Sequence, residues 1–114
     1  MSLMILQHHV GDVVILQLQG MMAIGEDSDF LKKRIAELVG GRHTQIVFDL
    51  GNCLYISADC RETLPWCRAL TQEKGGDCRL MNLDLQQVFM FTSWGEYSTF
   101  QTFKTLESAV QSFE

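Results

Sequence analysis

The sequence predicts an α/β fold, a mostly parallel mixed sheet flanked by helices, in the element order ββαβαβαβα. Three observations carry this. Short apolar runs rich in β-branched residues alternate with longer segments whose apolar residues recur at helical spacing. Gly11-Asp12 joins the first two runs directly, so these form an antiparallel hairpin. Each later strand is separated from the next by a helix, which requires parallel crossovers. The chain has 114 residues, 46% apolar and 20% charged, ordinary values for one globular domain, placed here at residues 4–114. A chain of this size buries roughly 65% of its unfolded surface and needs no disulfide or metal to hold a core.

Met4 to Val10 is the first strand and Val13 to Gln19 the second, ended by Gly20. A loop with apolar content, Met21 to Gly25, comes next. Glu26, Asp27, Ser28 and Asp29 supply acid and capping groups to a helix whose apolar face is Phe30, Leu31, Ile35, Leu38 and Val39. Gly40-Gly41 stops it. Gln45 to Leu50 is a buried central strand, and Gly51 to Ala58 a loop or strand extension. A second helix runs from about Asp59 to Lys74, where Pro65 either bends it or delays its regular part to Leu64. Asp77 to Leu83 is a strand. Asp84 caps a short helix holding Leu85, Val88, Phe89 and Phe91. Phe100 to Lys104 is the last strand, and Thr105 caps a final helix from Leu106 to Phe113.

The formal net charge of -5 argues against a nucleic-acid or anionic-membrane surface. No apolar run approaches the roughly 18 residues of a membrane span. No basic region leads into a long apolar stretch, so no secretory signal is read and the cytoplasm is the expected location. The four cysteines, 53, 60, 67 and 78, lack CxxC spacing and are expected as buried reduced thiols rather than a zinc site. His8 and His9 are adjacent, so a strand turns them to opposite faces, and His43 follows a glycine turn. No nucleophile elbow, phosphate-cradling glycine loop or paired metal motif is present. The chain is therefore expected to be non-enzymatic, with no cofactor and no metal. Trp66 and Trp94 are expected as partly buried structural residues. Met21 and Met22 are candidates for an adaptable contact patch in the loop before the first helix.

The informative stretch is Asp49 to Leu70, DLGNCLYISADCRETLPWCRAL. There a buried strand ends, a short loop intervenes, and a helix begins near Asp59. In an open α/β sheet the crevice beyond the strand C-termini is the usual place for function. A helix start there carries exposed amides and partial positive charge.

Here the chain resembles the STAS domain family, which includes bacterial anti-sigma factor antagonists and the cytoplasmic tails of sulfate transporters. VVILQLQG, then QIVFDL, then Tyr55-Ile56-Ser57-Ala58-Asp59-Cys60-Arg61-Glu62 fall in the family's register. Gly75-Gly76 with the strand CRLMNL, and the closing KTLESAVQSF, match its later elements. In antagonists of the family a kinase partner phosphorylates the second serine of an Asp-Ser-Ser-Gly motif. The resemblance puts Asp59 at that position, with Ser57 and Ala58 before it and Cys60-Arg61-Glu62 where the family has Gly-Leu-Gly. Ala23 replaces a frequent Asp. The switch hydroxyl is thus absent.

Asp59 then has three readings. It is an N-cap worth about 1 kcal/mol; or it imitates a phosphoserine, in part, since its single charge falls short of about -1.5 to -2; or Ser57 or Thr63 is the modified hydroxyl instead. The resemblance implies a bacterial transcription-regulating module with a degenerate phosphorylation switch. It would bind a serine-kinase anti-sigma factor or another STAS protein through Met21, Ile24, Ser57, Asp59, Arg61 and Glu62. Self-association as a homodimer stays open. The alternative is a STAS module of a membrane transport system, as a sulfate transporter tail or a lipid-transport accessory subunit. An enzyme or a nucleotide-binding protein is a third class, with no phosphate loop or base-stacking constellation to support it.

Overall fold

The computed structural model describes residues 3–23 and 25–114. The hairpin forms as expected. β1 (Met4–Val10) pairs antiparallel with β2 (Val13–Met22), from Val10 opposite Val13 to Met4 opposite Gln19. Gly11, at φ 59, makes the two-residue turn in the left-handed region that glycine enters at little cost.

β2 runs three residues further than the sequence suggests. Gly20 does not end the strand. At φ 89 it donates its amide to the Asn52 carbonyl at 3.1 Å, and the pairing register slips by one between Gly20 and Met21. The glycine is thus a bulge inside a long strand. Met21 and Met22 consequently lie on β2 and not in a loop. Met22 is fully buried in the core and Met21 half-buried, which rules out a surface pair of methionines.

α1 (Glu26–Gly40) buries Leu31, Ile35 and Leu38. Its acidic start is only partly the helix-dipole cluster expected. Asp27 is buried, and its carboxylate accepts from the Leu3 amide and the Ala23 amide, each at 3.0 Å. It ties the chain ahead of β1 to the chain ahead of α1.

β3 (Gln45–Asp49) lies parallel between β2 and β5 (Asp77–Met81), with Ile46, Val47 and Phe48 fully buried. The stretch from Gly51 to Ala58 contains a strand, β4 (Cys53–Ile56), parallel to the last residues of β2. β6 is only Thr102–Phe103, parallel to β5. The sheet order is β1-β2-β3-β5-β6, with β4 beside β2.

α2 (Thr63–Glu73) begins four residues later than expected. Pro65 explains this. It has no amide to donate, so it fits the first turn, where no intrahelical acceptor is available. α3 (Leu85–Ser93) is capped by a reciprocal pair, with the Gln87 amide donating to Asp84 and the Asp84 amide to the Gln87 side chain. α4 (Leu106–Gln111) is capped by Thr105.

The larger core lies between the sheet and α1, α2 and α3, around Leu16, Leu18, Phe48, Leu64 and Leu80. A smaller one, Val13, Ile15, Val47, Met81 and Ala109, lies under α4. Arg79 pins α4, stacking its guanidinium 4.0 Å over Phe113 and donating to the Ser112 carbonyl at 2.6 Å. All four cysteines are free and buried. No helix among the described residues is long and apolar enough to cross a membrane.

Candidate functional site

β2 and β4 end side by side, and the chain leaves the sheet at Ser57, whose amide donates to the Met22 carbonyl at 2.9 Å. From there it enters a 3₁₀ turn over Ala58–Cys60 and not the first turn of α2. Ser57, half-buried, caps this turn: its hydroxyl accepts from the Asp59 amide at 3.3 Å. Asp59 therefore caps nothing: Ser57 caps this turn, and the N-cap position of α2 is Glu62, whose side chain makes no cap hydrogen bond. Asp59 donates an amide to the cap, and its own carboxylate is left over.

Cys60 anchors the turn. Its amide donates to the Ser57 carbonyl at 2.8 Å and its side chain is buried. Burial raises the Cys60 thiol pKa, and the Asp27 and Asp59 carboxylates raise it further. Tyr97, itself buried in the core, holds the turn by donating its hydroxyl to the Arg61 carbonyl at 2.6 Å. With Cys60 inward, Asp59, Arg61 and Glu62 all point to solvent. Their charged groups make no hydrogen bond or ion pair among the described residues. Three charges on four consecutive residues are thus held on an ordered turn without an internal purpose.

The other expected residues divide. Thr63 is buried, and its hydroxyl shares a 2.9 Å hydrogen bond with Ser28, joining α2 to α1. Met21 is half-buried opposite Tyr55. Ile24 lies outside the described residues. Trp94 packs among Phe91 and Tyr97 as a structural residue, whereas Trp66 is exposed, with the Lys32 ammonium 5.2 Å over its ring. His9 and His43 meet edge to face at 5.3 Å, by the turn that opens β2 and so at the other end of that strand from Ser57.

Residues that sequence reasoning missed flank this site. Leu54 and Tyr55 on β4, and Leu85, Val88 and Phe89 on α3, are exposed. Sequence reasoning places the last three on a capped helix without assigning the face they occupy. Only Gln87 and Phe91 of α3 are buried, because the Gln87 amide is needed inside, donating to the Leu50 and Cys53 carbonyls at 3.0 Å each. Gln87, directly before the apolar run Val88 to Phe91, was the available signal. Among the described residues no cluster of His, Cys, Asp or Glu can hold a metal ion. The arrangement offers contact chemistry, charge and apolar area, on the carboxyl side of the sheet.

No family model and no curated protein matches this sequence significantly. Solved structures do match the fold. A provisionally assigned anti-sigma factor antagonist of Thermotoga maritima superposes with a TM-score of 0.85 at 17% identity, over 95% of this chain and 92% of that one. The unphosphorylated anti-sigma factor antagonist SpoIIAA gives 0.72 at 12% identity, over 96% of each chain. The murine anion transporter Slc26a9 gives 0.71 at 13% identity, over 91% of this chain but 18% of the transporter. The architecture predicted from the sequence, a mixed and mostly parallel sheet flanked by helices, is thus the STAS fold of the anti-sigma factor antagonists.

Proposed function

We propose that the chain is a non-catalytic interaction module that binds a protein partner through the turn from Ser57 to Glu62. The observation that carries this is the Asp59 carboxylate, exposed and unused on an ordered turn at the end of β4. The partner's class follows from the antagonist likeness: a serine-kinase anti-sigma factor or another STAS protein. Binding would act by competition, with an occupied anti-sigma factor releasing its sigma factor.

In the register of the resemblance, Asp59 stands where an antagonist carries its phosphorylated serine. A carboxylate there gives a standing partial imitation of the phosphorylated state, one charge against about -1.5 to -2. A kinase has nothing to add at residue 59, so the affinity is fixed and set low. The domain over residues 4–114, in this reading, is a regulator whose switch has been replaced by a constant.

Titration calorimetry against a panel of serine-kinase anti-sigma factors tests the reading. Asp59→Ser should bind at least one member about tenfold tighter than the native chain, about 1.4 kcal/mol. Equal affinity of both proteins for every member would remove Asp59 from the interface.

The likeness to Slc26a9 favours a second reading, a STAS module of a membrane transport system. Membrane-spanning segments encoded in the same reading frame would establish it.

A further inference from the structure

Independently of Asp59, the surface between β4 and α3 is a second contact site, and we infer that it receives a cationic, apolar-anchored peptide segment of a partner protein. A groove of about 550 Å³ runs there. Its walls include Leu54, 74% exposed, Tyr55, 57%, Leu85, 88%, and Phe89, 80%. Large apolar side chains this exposed, contiguous along one groove, are the mark of an interaction surface and not of scattered surface residues.

The backbone contributes as well. β4 pairs with β2 alone, so its other edge carries no strand among the described residues. Gln87 supplies donors to that side only at Leu50 and Cys53. An extended segment laid along β4 would find main-chain partners beside the apolar anchors.

The occupant's charge follows from the rim. α3, LQQVFMFTS, carries no charged residue. The one charged residue lining the groove is Asp84, exposed at the mouth beside Leu85. The whole chain carries -5. A fatty acid or an anionic bilayer would set negative charge against this rim. A second copy docked by the same face would bring no cation to this rim, because the groove lining holds Asp84 and no lysine or arginine. A segment with leucine or phenylalanine anchors and flanking lysine or arginine meets both the walls and the rim.

A random peptide library displayed on phage and selected against the intact protein tests this. Selected peptides should combine apolar residues with lysine or arginine. They should lose at least tenfold in affinity on Leu85→Ser/Phe89→Ser and weaken about threefold on Asp84→Asn. Both changed apolar side chains are exposed, so the double variant should keep the native melting curve, and the peptides should bind Asp59→Ser as they bind the native chain. Four results would each overturn the inference. Three are the absence of selected peptides, peptides without a cationic bias, and equal binding to the double variant. The fourth is a Leu85- and Phe89-dependent dimer in sedimentation, or equally dependent binding to phosphatidylglycerol vesicles, without peptide capture.

Discussion

Replacing Gln87 by methionine tests how the candidate site is held. Gln87 is buried and its side-chain amide makes three hydrogen bonds. It donates to the Leu50 and Cys53 carbonyls at 3.0 Å each, and accepts from the Asp84 amide at 2.9 Å. Methionine keeps the volume and removes all three. At about 1 kcal/mol per bond the loss is about 3 kcal/mol, part of it the cost of burying carbonyls that lose a donor. For a chain of this length that lowers the melting temperature by on the order of 10 °C. Urea denaturation followed by circular dichroism measures the loss. Native-state hydrogen exchange should also show β4 amides opening more readily than those of β3, because Gln87 is what ties β4 to α3. A loss below about 1 kcal/mol would refute this role for the amide.

Two further predictions concern the frame. A Cβ added at Gly76 would collide with the Thr44 carbonyl oxygen, a backbone atom that cannot swing away. Gly76→Ala should therefore cost about 3 kcal/mol in the same urea assay, and a neutral result would contradict the close approach of the α2–β5 turn to β3. Burial pushes the Cys78 thiol up to about 12 from 9.0, and the Cys67 thiol is also raised by burial. Both folded values lie above the unfolded ones. The stability they contribute is complete below about pH 8.5 and falls as the pH climbs toward 12, by up to about 1.4 kcal/mol per pH unit for each thiol. Urea midpoints between pH 8 and pH 10 should fall less steeply in Cys78→Ala than in the native chain, and parallel curves would show the thiol to be uninvolved.

The fold was legible because its elements are marked at their ends. Gly11-Asp12, Gly40-Gly41, Asp84 and Thr105 each punctuate where the structure does. The misreadings share one cause, a local signal overridden by a competing partner. Gly20 looks like a strand end until Asn52 accepts its amide. Asp59 looks like the cap of α2 until a separate 3₁₀ turn, capped by Ser57, takes up Ala58 to Cys60 and moves the helix start to Thr63. Leu85 and Phe89 read simply as apolar residues of a capped helix, yet the inner position goes to Gln87, which answers carbonyls more than thirty residues away in the chain. Of the candidate site, the exposed charges at 59, 61 and 62 were anticipated, but β4 and the groove beside it depend on pairing with β2, which no local pattern encodes.

The central claim is that residue 59 occupies the position of a switch hydroxyl. Incubating Asp59→Ser with ATP and each serine-kinase anti-sigma factor of the panel, then mapping phosphate by mass spectrometry, tests it directly. The expected result is phosphate on residue 59 of the variant and none on the native chain, with Ser57 unlabelled in both. Phosphate on Ser57, or none on the variant from any kinase that binds it, would contradict the claim.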